Sequence, residues 1–317
     1  MLSKVNRALE KSMPLITPVS VLVGVWLGEK IMGLAFLVPF IFAFMTFAGS
    51  LSADFKSLGR VISHPFPILV ALFVLHFLMP LWAWSFGHLV FSGDALTITG
   101  LILGMVIPTG ITSMIWVVIY KGNIALGLSI IIIDTLLSPF IVPYSLSLFA
   151  GSMVQIDMSA MVMGLLGMIV IPSLLGMLFN QVSKGRLHRS WSPRLSPFSK
   201  IGLGVVVTIN SATVAPYLTQ LDGRLATMAG MVFFIAASGY FVSWLIAKQL
   251  KWDRENVIVL VFCGGMRNVS AGAVIAVSYF PGAVAAPIIL AMVFQQILAS
   301  LAGHLVARNE QKLTDAA

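Results

Sequence analysis

Asp134 and Arg267 are ionisable residues set in apolar runs, SIIIIDTLLSPF at 129–140 and CGGMRNVSAGAVIA at 263–276. A charge on a lipid-inserted helix costs on the order of 2.5–3.5 kcal/mol or more, so such residues face a cavity or a partner and mark transport paths. Arginine does not readily release its proton, which makes Arg267 a fixed positive charge. A buried carboxylate beside a cation titrates over a useful range, which makes Asp134 the candidate for carrying a coupling proton. His76, in ALFVLHFLMP at 71–80, is a further titratable group within an apolar run. Asn210, Gln295 and Gln296 could line the same path, and contacts between helices explain them equally well.

The elements that carry these residues follow from composition. Only 9% of the 317 residues are charged and 59% are hydrophobic, with a mean hydropathy of +1.01, which excludes an ordinary soluble domain. Apolar stretches of about 20 residues match the hydrocarbon core of a bilayer, and inside lipid the backbone must satisfy itself, which requires helices. The pattern predicts an all-α polytopic membrane protein with ten spans, at 13–28, 32–50, 66–88, 95–120, 123–149, 159–181, 199–219, 225–247, 254–278 and 281–307. The single cysteine, Cys263, excludes a disulfide framework. No nucleophile–base pair or metal cluster is evident, so no enzyme and no cofactor is expected.

Two spans are interrupted: GMVIPTGITSM at 104–114 and CGGMRN at 263–268. Pro108 removes a helical hydrogen bond, and Gly110, Gly264 and Gly265 loosen the backbone. Thr109, Thr112, Ser113 and Asn268 offer polar groups beside the breaks. Interrupted segments at matching places point to a transporter binding site. The reading is therefore two inverted five-helix repeats, residues 1–152 and 153–317, whose discontinuous helices cross. Half-helices beginning near Thr112 and Asn268 would give the crossing an anion-friendly component.

Charge sets the orientation. Of the 19 Lys and Arg, sixteen fall on one side of these spans, only Lys30 and Arg224 on the other, and Arg267 is left inside. The positive-inside rule then places both termini in the cytoplasm, as expected for a multi-pass protein of the bacterial inner membrane. The same placement assigns the net charge of +8 to membrane-edge loops rather than to nucleic acid.

The segments 108–143 and 264–276, with KGN at 121–123, TLLSP at 135–139 and GMRN at 265–268, resemble the bile acid:sodium symporter family. The resemblance implies ten helices in inverted repeats, an organic-anion substrate and coupling to sodium bound behind the crossing. Of the sodium ligands it implies, Ser113 and Asn268 are present. Leu75, Met114, Gly127, Ile131 and Cys263 stand where other oxygen ligands belong, and Arg267 stands in place of a glutamine. The reading is thus a secondary transporter for a small organic anion, proton-coupled or uncoupled, with Arg267 acting as a tethered cation compensated by Asp134. The alternatives are a sodium-coupled organic-anion symporter and a membrane sensor without flux. Membrane lipid is the other expected partner.

Overall fold

The computed structural model describes residues 2–53, 65–151, 154–155, 157–219 and 222–315. Lys56 and Arg60 of the basic tally lie outside the described residues. Every regular element among the described residues is helical: α1 (Leu2–Leu27), α2 (Val38–Ser50), α3 (Pro65–Val90), α4 (Ala95–Val106), α5 (Ser113–Ile119), α6 (Ile124–Ala150), α7 (Met158–Val182), α8 (Arg186–Thr213), α9 (Gly223–Gln249), α10 (Arg254–Gly265), α11 (Val269–Tyr279) and α12 (Ala285–Asp315), with a few single turns between them.

The starts of several helices are written locally. Asp94, Asn123, Asp157, Asp222 and Asn268 each accept a hydrogen bond from a backbone amide three residues on, satisfying one of the free donors of the first turn. Inside α3 and α7, one π turn each (Val74–Leu78 and Leu166–Val170) lies just ahead of Pro80 and Pro172. A proline has no amide to return to the carbonyl four residues back, and the wider turn absorbs that loss.

Among the described residues, six helices are long and apolar enough to cross a membrane: Pro65–Val90, Ile124–Ala150, Met158–Val182, Gly223–Gln249, Arg254–Tyr279 and Gly282–Val306. This overturns the ten spans and, with them, the two inverted five-helix repeats. Four of the expected spans fall short for physical reasons. The apolar parts of the first, second and fourth are only Leu15–Leu27, Ala35–Ser50 and Ala95–Val106, the last cut off at the break around Pro108. The expected span at 199–219 instead belongs to α8, which begins with the polar segment RLHRSWSPRLSPFSK and ends at Thr213. What stands is an all-α, multi-pass membrane protein. Large apolar side chains such as Leu22, Phe40, Leu89 and Leu148 point outward, as lipid-facing residues do.

Two packed groups of helices result. α1, α2 and α8 lie together, with α7 against α2, and a Cβ added to Gly24 on α1 would come within 2.2 Å of the Thr208 carbonyl on α8. Such glycine contacts let membrane helices approach closely where no hydrophobic force separates helix from lipid. In the other group α10 and α11 form the most buried of the six spans, surrounded by α4, α6, α9 and α12. Both breaks lie there.

At one edge, the Asp94 carboxylate caps α4 and pairs with Arg224 at 2.5 Å. Burial would raise its pKa, but the hydrogen bonds of Thr97 and the Arg224 guanidinium outweigh that and hold it below its ordinary value of 3.8. A depressed folded-state pKa stabilises the fold above the unfolded value and loses that contribution as pH falls through the folded one. The pair is largely exposed, so it is worth about 0–1 kcal/mol. Asp94→Asn, which keeps the cap, is expected to lower stability by no more than that. Asp94→Ala, which loses the cap as well, is expected to cost about 1–2 kcal/mol. Thermal unfolding in detergent at pH 7 and at a pH well below 3.8 checks both, with the Asp94→Asn difference fading as the folded carboxylate takes up its proton.

Candidate functional site: the meeting of two broken helices

α4 ends at Val106 and α5 begins at Ser113; α10 ends at Gly265 and α11 begins at Val269. In an unbroken first helix the Thr109 amide would bond the Met105 carbonyl, and in an unbroken second helix the Asn268 amide would bond the Gly264 carbonyl. Neither bond forms. The Thr109 amide donates to Asp134 Oδ2 at 2.6 Å, and the Met105 carbonyl accepts from Arg267 Nε at 3.0 Å. The Asn268 amide donates across to the Pro108 carbonyl at 2.8 Å, and the Gly264 carbonyl accepts from Arg267 Nη1 at 2.7 Å. Every loose end of this pair of bonds is thus taken up, two by Arg267, one by Asp134 and one by the opposite break.

Arg267 is 2% exposed and Asp134 is fully buried. Nη1 of Arg267 also donates to the Met266 carbonyl at 3.1 Å, while its backbone amide donates to Gln295 Oε1 at 3.1 Å. The second carboxylate oxygen of Asp134 meets His76 Nε2 at 2.5 Å, on the π turn of α3. Among the described residues no ion pair joins Asp134 to Arg267; the side chain that meets the Asp134 carboxylate is His76. The two charges therefore act through the backbone that lies between them.

Close approach explains the glycines. A Cβ on Gly264 would lie 2.4 Å from Ser243 Oγ, and one on Gly265 would lie 2.5 Å from the Tyr240 ring, so α9 packs directly on the second break. Gly110 lies against the Asn268 Cα and the Arg267 carbonyl, which places the two breaks in contact. Cys263, buried and free, sits 3.8 Å from Ser113 Oγ at the same point.

The structure thus brings together His76, Thr109, Asp134, Arg267 and Asn268 with Pro108, Gly110, Gly264 and Gly265. Ser113 donates to the Gly110 carbonyl at 2.8 Å, and Asn268 Oδ1 accepts the Ala271 amide at 3.2 Å, capping α11. Both residues carried over as sodium ligands have these polar atoms engaged locally. Thr112 is half-buried and makes no side-chain cap for α5, which is only seven residues long. Asn210 lies on α8, fully buried, and neither of its amide atoms has a hydrogen-bond partner. It makes no hydrogen bond to the cluster. Tyr240, whose hydroxyl reaches the Gln295 carbonyl at 3.4 Å, was not singled out from sequence; a lone tyrosine in AASGYFV was the available signal.

The KGN element has a structural explanation. Lys121 takes a left-handed turn (φ 59°), the Gly122 amide returns to the Val117 carbonyl, and Asn123 caps α6. Asn123 also bonds Asn256 and the Glu255 carbonyl, tying the start of α6 to the start of α10.

Residues 39–221 match the model of the Sodium Bile acid symporter family, which covers Pro108, His76 and Asp134 but stops before Arg267. The chain belongs to this family. Family members are transporters rather than enzymes, and the chain is accordingly a secondary transporter. Across 300 residues it is 57% identical to a Bacillus subtilis (strain 168) protein called "Uncharacterized protein YbaS", covering 95% of this chain and 98% of that one. It is 26% identical over 262 residues to the "Uncharacterized sodium-dependent transporter YocS" of the same organism, covering 82% and 78%. It is also 28% identical over 181 residues to the "Probable sodium/metabolite cotransporter BASS1, chloroplastic" of Oryza sativa subsp. japonica, covering 57% and 44%.

Within this family member, the Asp134 contacts predict a sharp difference between two substitutions. Asp134→Asn keeps a carbonyl oxygen to accept the Thr109 amide. Asp134→Leu leaves that amide and His76 Nε2 buried without a partner, at about 1–3 kcal/mol for each orphaned group. The leucine variant is expected to melt well below the asparagine variant in detergent, and equal melting points would refute the splinting role of Asp134.

Proposed function

We propose that this secondary transporter carries a small organic anion past the meeting point of the two breaks by alternating access. One observation carries the reading: Arg267 Nη2 is buried and has no hydrogen-bond partner, although the rest of the guanidinium is engaged. Buried polar groups are nearly always paired, and a guanidinium suits carboxylates through its fixed fork of donors. Thr109 Oγ1, His76 Nδ1 and the Asn210 amide are likewise buried and unpartnered, so half of the described buried polar atoms without partners belong to residues singled out from sequence. These are the groups that a polar solute would engage.

For coupling, the names of the relatives favour sodium over the proton-coupled or uncoupled mode expected from sequence. YocS is called sodium-dependent and BASS1 a sodium/metabolite cotransporter, and sodium would travel with the anion as a second cargo. A second reading rests on one arrangement. The Arg267 guanidinium already holds the carbonyls of Met105, Gly264 and Met266 that a bare cation would seek, while the imidazole of His76 lies 2.5 Å from the Asp134 carboxylate. That arrangement favours a proton as the coupling ion. We place both termini on the cytoplasmic side of a bacterial inner membrane, a placement that the even number of spans among the described residues allows.

Vesicles reconstituted with purified protein and loaded against a panel of labelled carboxylates test the proposal. An inward sodium gradient is expected to raise uptake several-fold at constant pH. Uptake driven by a proton gradient in sodium-free buffer, and lost in Asp134→Asn, would replace sodium with the proton. Binding without flux under any gradient would make the protein a sensor. Arg267→Ala is expected to abolish uptake while the protein still accumulates in the membrane; undiminished uptake by that variant would overturn the role of the guanidinium.

A further inference from the structure

A cleft of about 710 Å³ runs between α9 and α12, with Val261 of α10 and Tyr240 as its floor. Its walls are apolar, with Phe233 and Trp244 on α9 facing Leu298 and Leu305 on α12. Both walls belong to helices of membrane-crossing length, so the cleft opens onto lipid. From Phe233 to Trp244 it extends about 16 Å at the helical rise of 1.5 Å per residue. That is close to half of the roughly 30 Å hydrocarbon core, the depth of a single leaflet. Arg308 lines the same cleft, one turn beyond Leu305, and is exposed.

We propose that this cleft is a binding site for one anionic phospholipid, an acyl chain lying along the apolar walls and the phosphate paired with Arg308. Length selects a lipid: an apolar slot one leaflet deep with a cation at its end fits an amphiphile with a charged head. Charge selects the class. A zwitterionic head carries its own neutralising cation, whereas an anionic head leaves a net charge for Arg308 at the end of the molecule where Lys248, Lys251 and Arg254 also lie. The occupant also touches the transport machinery. Tyr240, the floor of the cleft, rests on Gly265 at the second break, so a chain filling the cleft braces that ring from the lipid side.

Native mass spectrometry of the delipidated full-length protein tests this without any transport measurement, so a failed uptake assay leaves it untouched. Phosphatidylglycerol and phosphatidylcholine of identical chains are added separately. Phosphatidylglycerol is expected to be retained about fivefold more strongly, the effect of one arginine near an anionic surface. Arg308→Gln, at an exposed position, is expected to erase that preference. Ala302→Trp, which fills the cleft, is expected to reduce retention of both lipids, and Ala237→Leu serves as a milder filler if the tryptophan prevents folding. Equal retention of the two lipids by the native protein, an unchanged preference in Arg308→Gln, or full competition by inorganic phosphate alone would each overturn the proposal.

Discussion

The structure depends on the rule that a backbone amide or carbonyl released in the middle of a membrane helix must find a partner within the protein. Two of the helical bonds missing at the breaks are Thr109 to Met105 and Asn268 to Gly264, and their four ends need two acceptors and two donors. Asp134 and the Pro108 carbonyl supply the acceptors, and Arg267 supplies both donors. The signs of the two charges are therefore set by the chemistry of the exposed ends. A carboxylate can only accept and a guanidinium can only donate, so exchanging their positions would leave the Thr109 amide and the Met105 and Gly264 carbonyls each facing its own kind. The cost of burying each charge is offset by backbone groups that would otherwise be orphaned.

That account also explains why the pair need not form a salt bridge. A direct bond between Asp134 and Arg267 would take donors and acceptors away from the breaks. Instead Asp134 turns its other oxygen to His76, and Arg267 turns its backbone amide to Gln295. Each charge is fixed by a neighbouring long helix, α3 for one and α12 for the other. The breaks are thus held by elements from both ends of the chain, and a shift of either helix would be felt at the crossing.

Much of this site was legible in the sequence. Pro108, Gly110, Gly264 and Gly265 mark both breaks because few residue types permit them, and a charge in an isoleucine run has few explanations. The pairing was less legible. His76 is the nearest titratable partner of Asp134, yet spacing along one helix says nothing about which neighbour faces it. The fold was legible as all-α and multi-pass, and the count of spans was not. Counting apolar residues runs through a break such as Ile107 to Thr112 as if the helix continued, whereas the structure ends α4 at Val106. The same count overlooked the polar start of α8, whose apolar half alone resembled a span.

The match to the family ends at residue 221, before the second break begins. Family membership therefore speaks for the first break, with Pro108, Thr109 and Asp134, and is silent on the residue that most affects coupling. Arg267 brings a permanent cation to carbonyls that an ion would otherwise coordinate, and two cations do not share such a group of oxygens without strong repulsion in a medium of low dielectric. If sodium is a cargo, it must then occupy oxygens other than those of Met105, Gly264 and Met266, or the guanidinium must leave them during the cycle. Departure would expose the lost helical bonds of both breaks together, because a single side chain serves them both. Arg267 thus links the state of the backbone at one break to that at the other, and any coupling ion in this chain must act on that link.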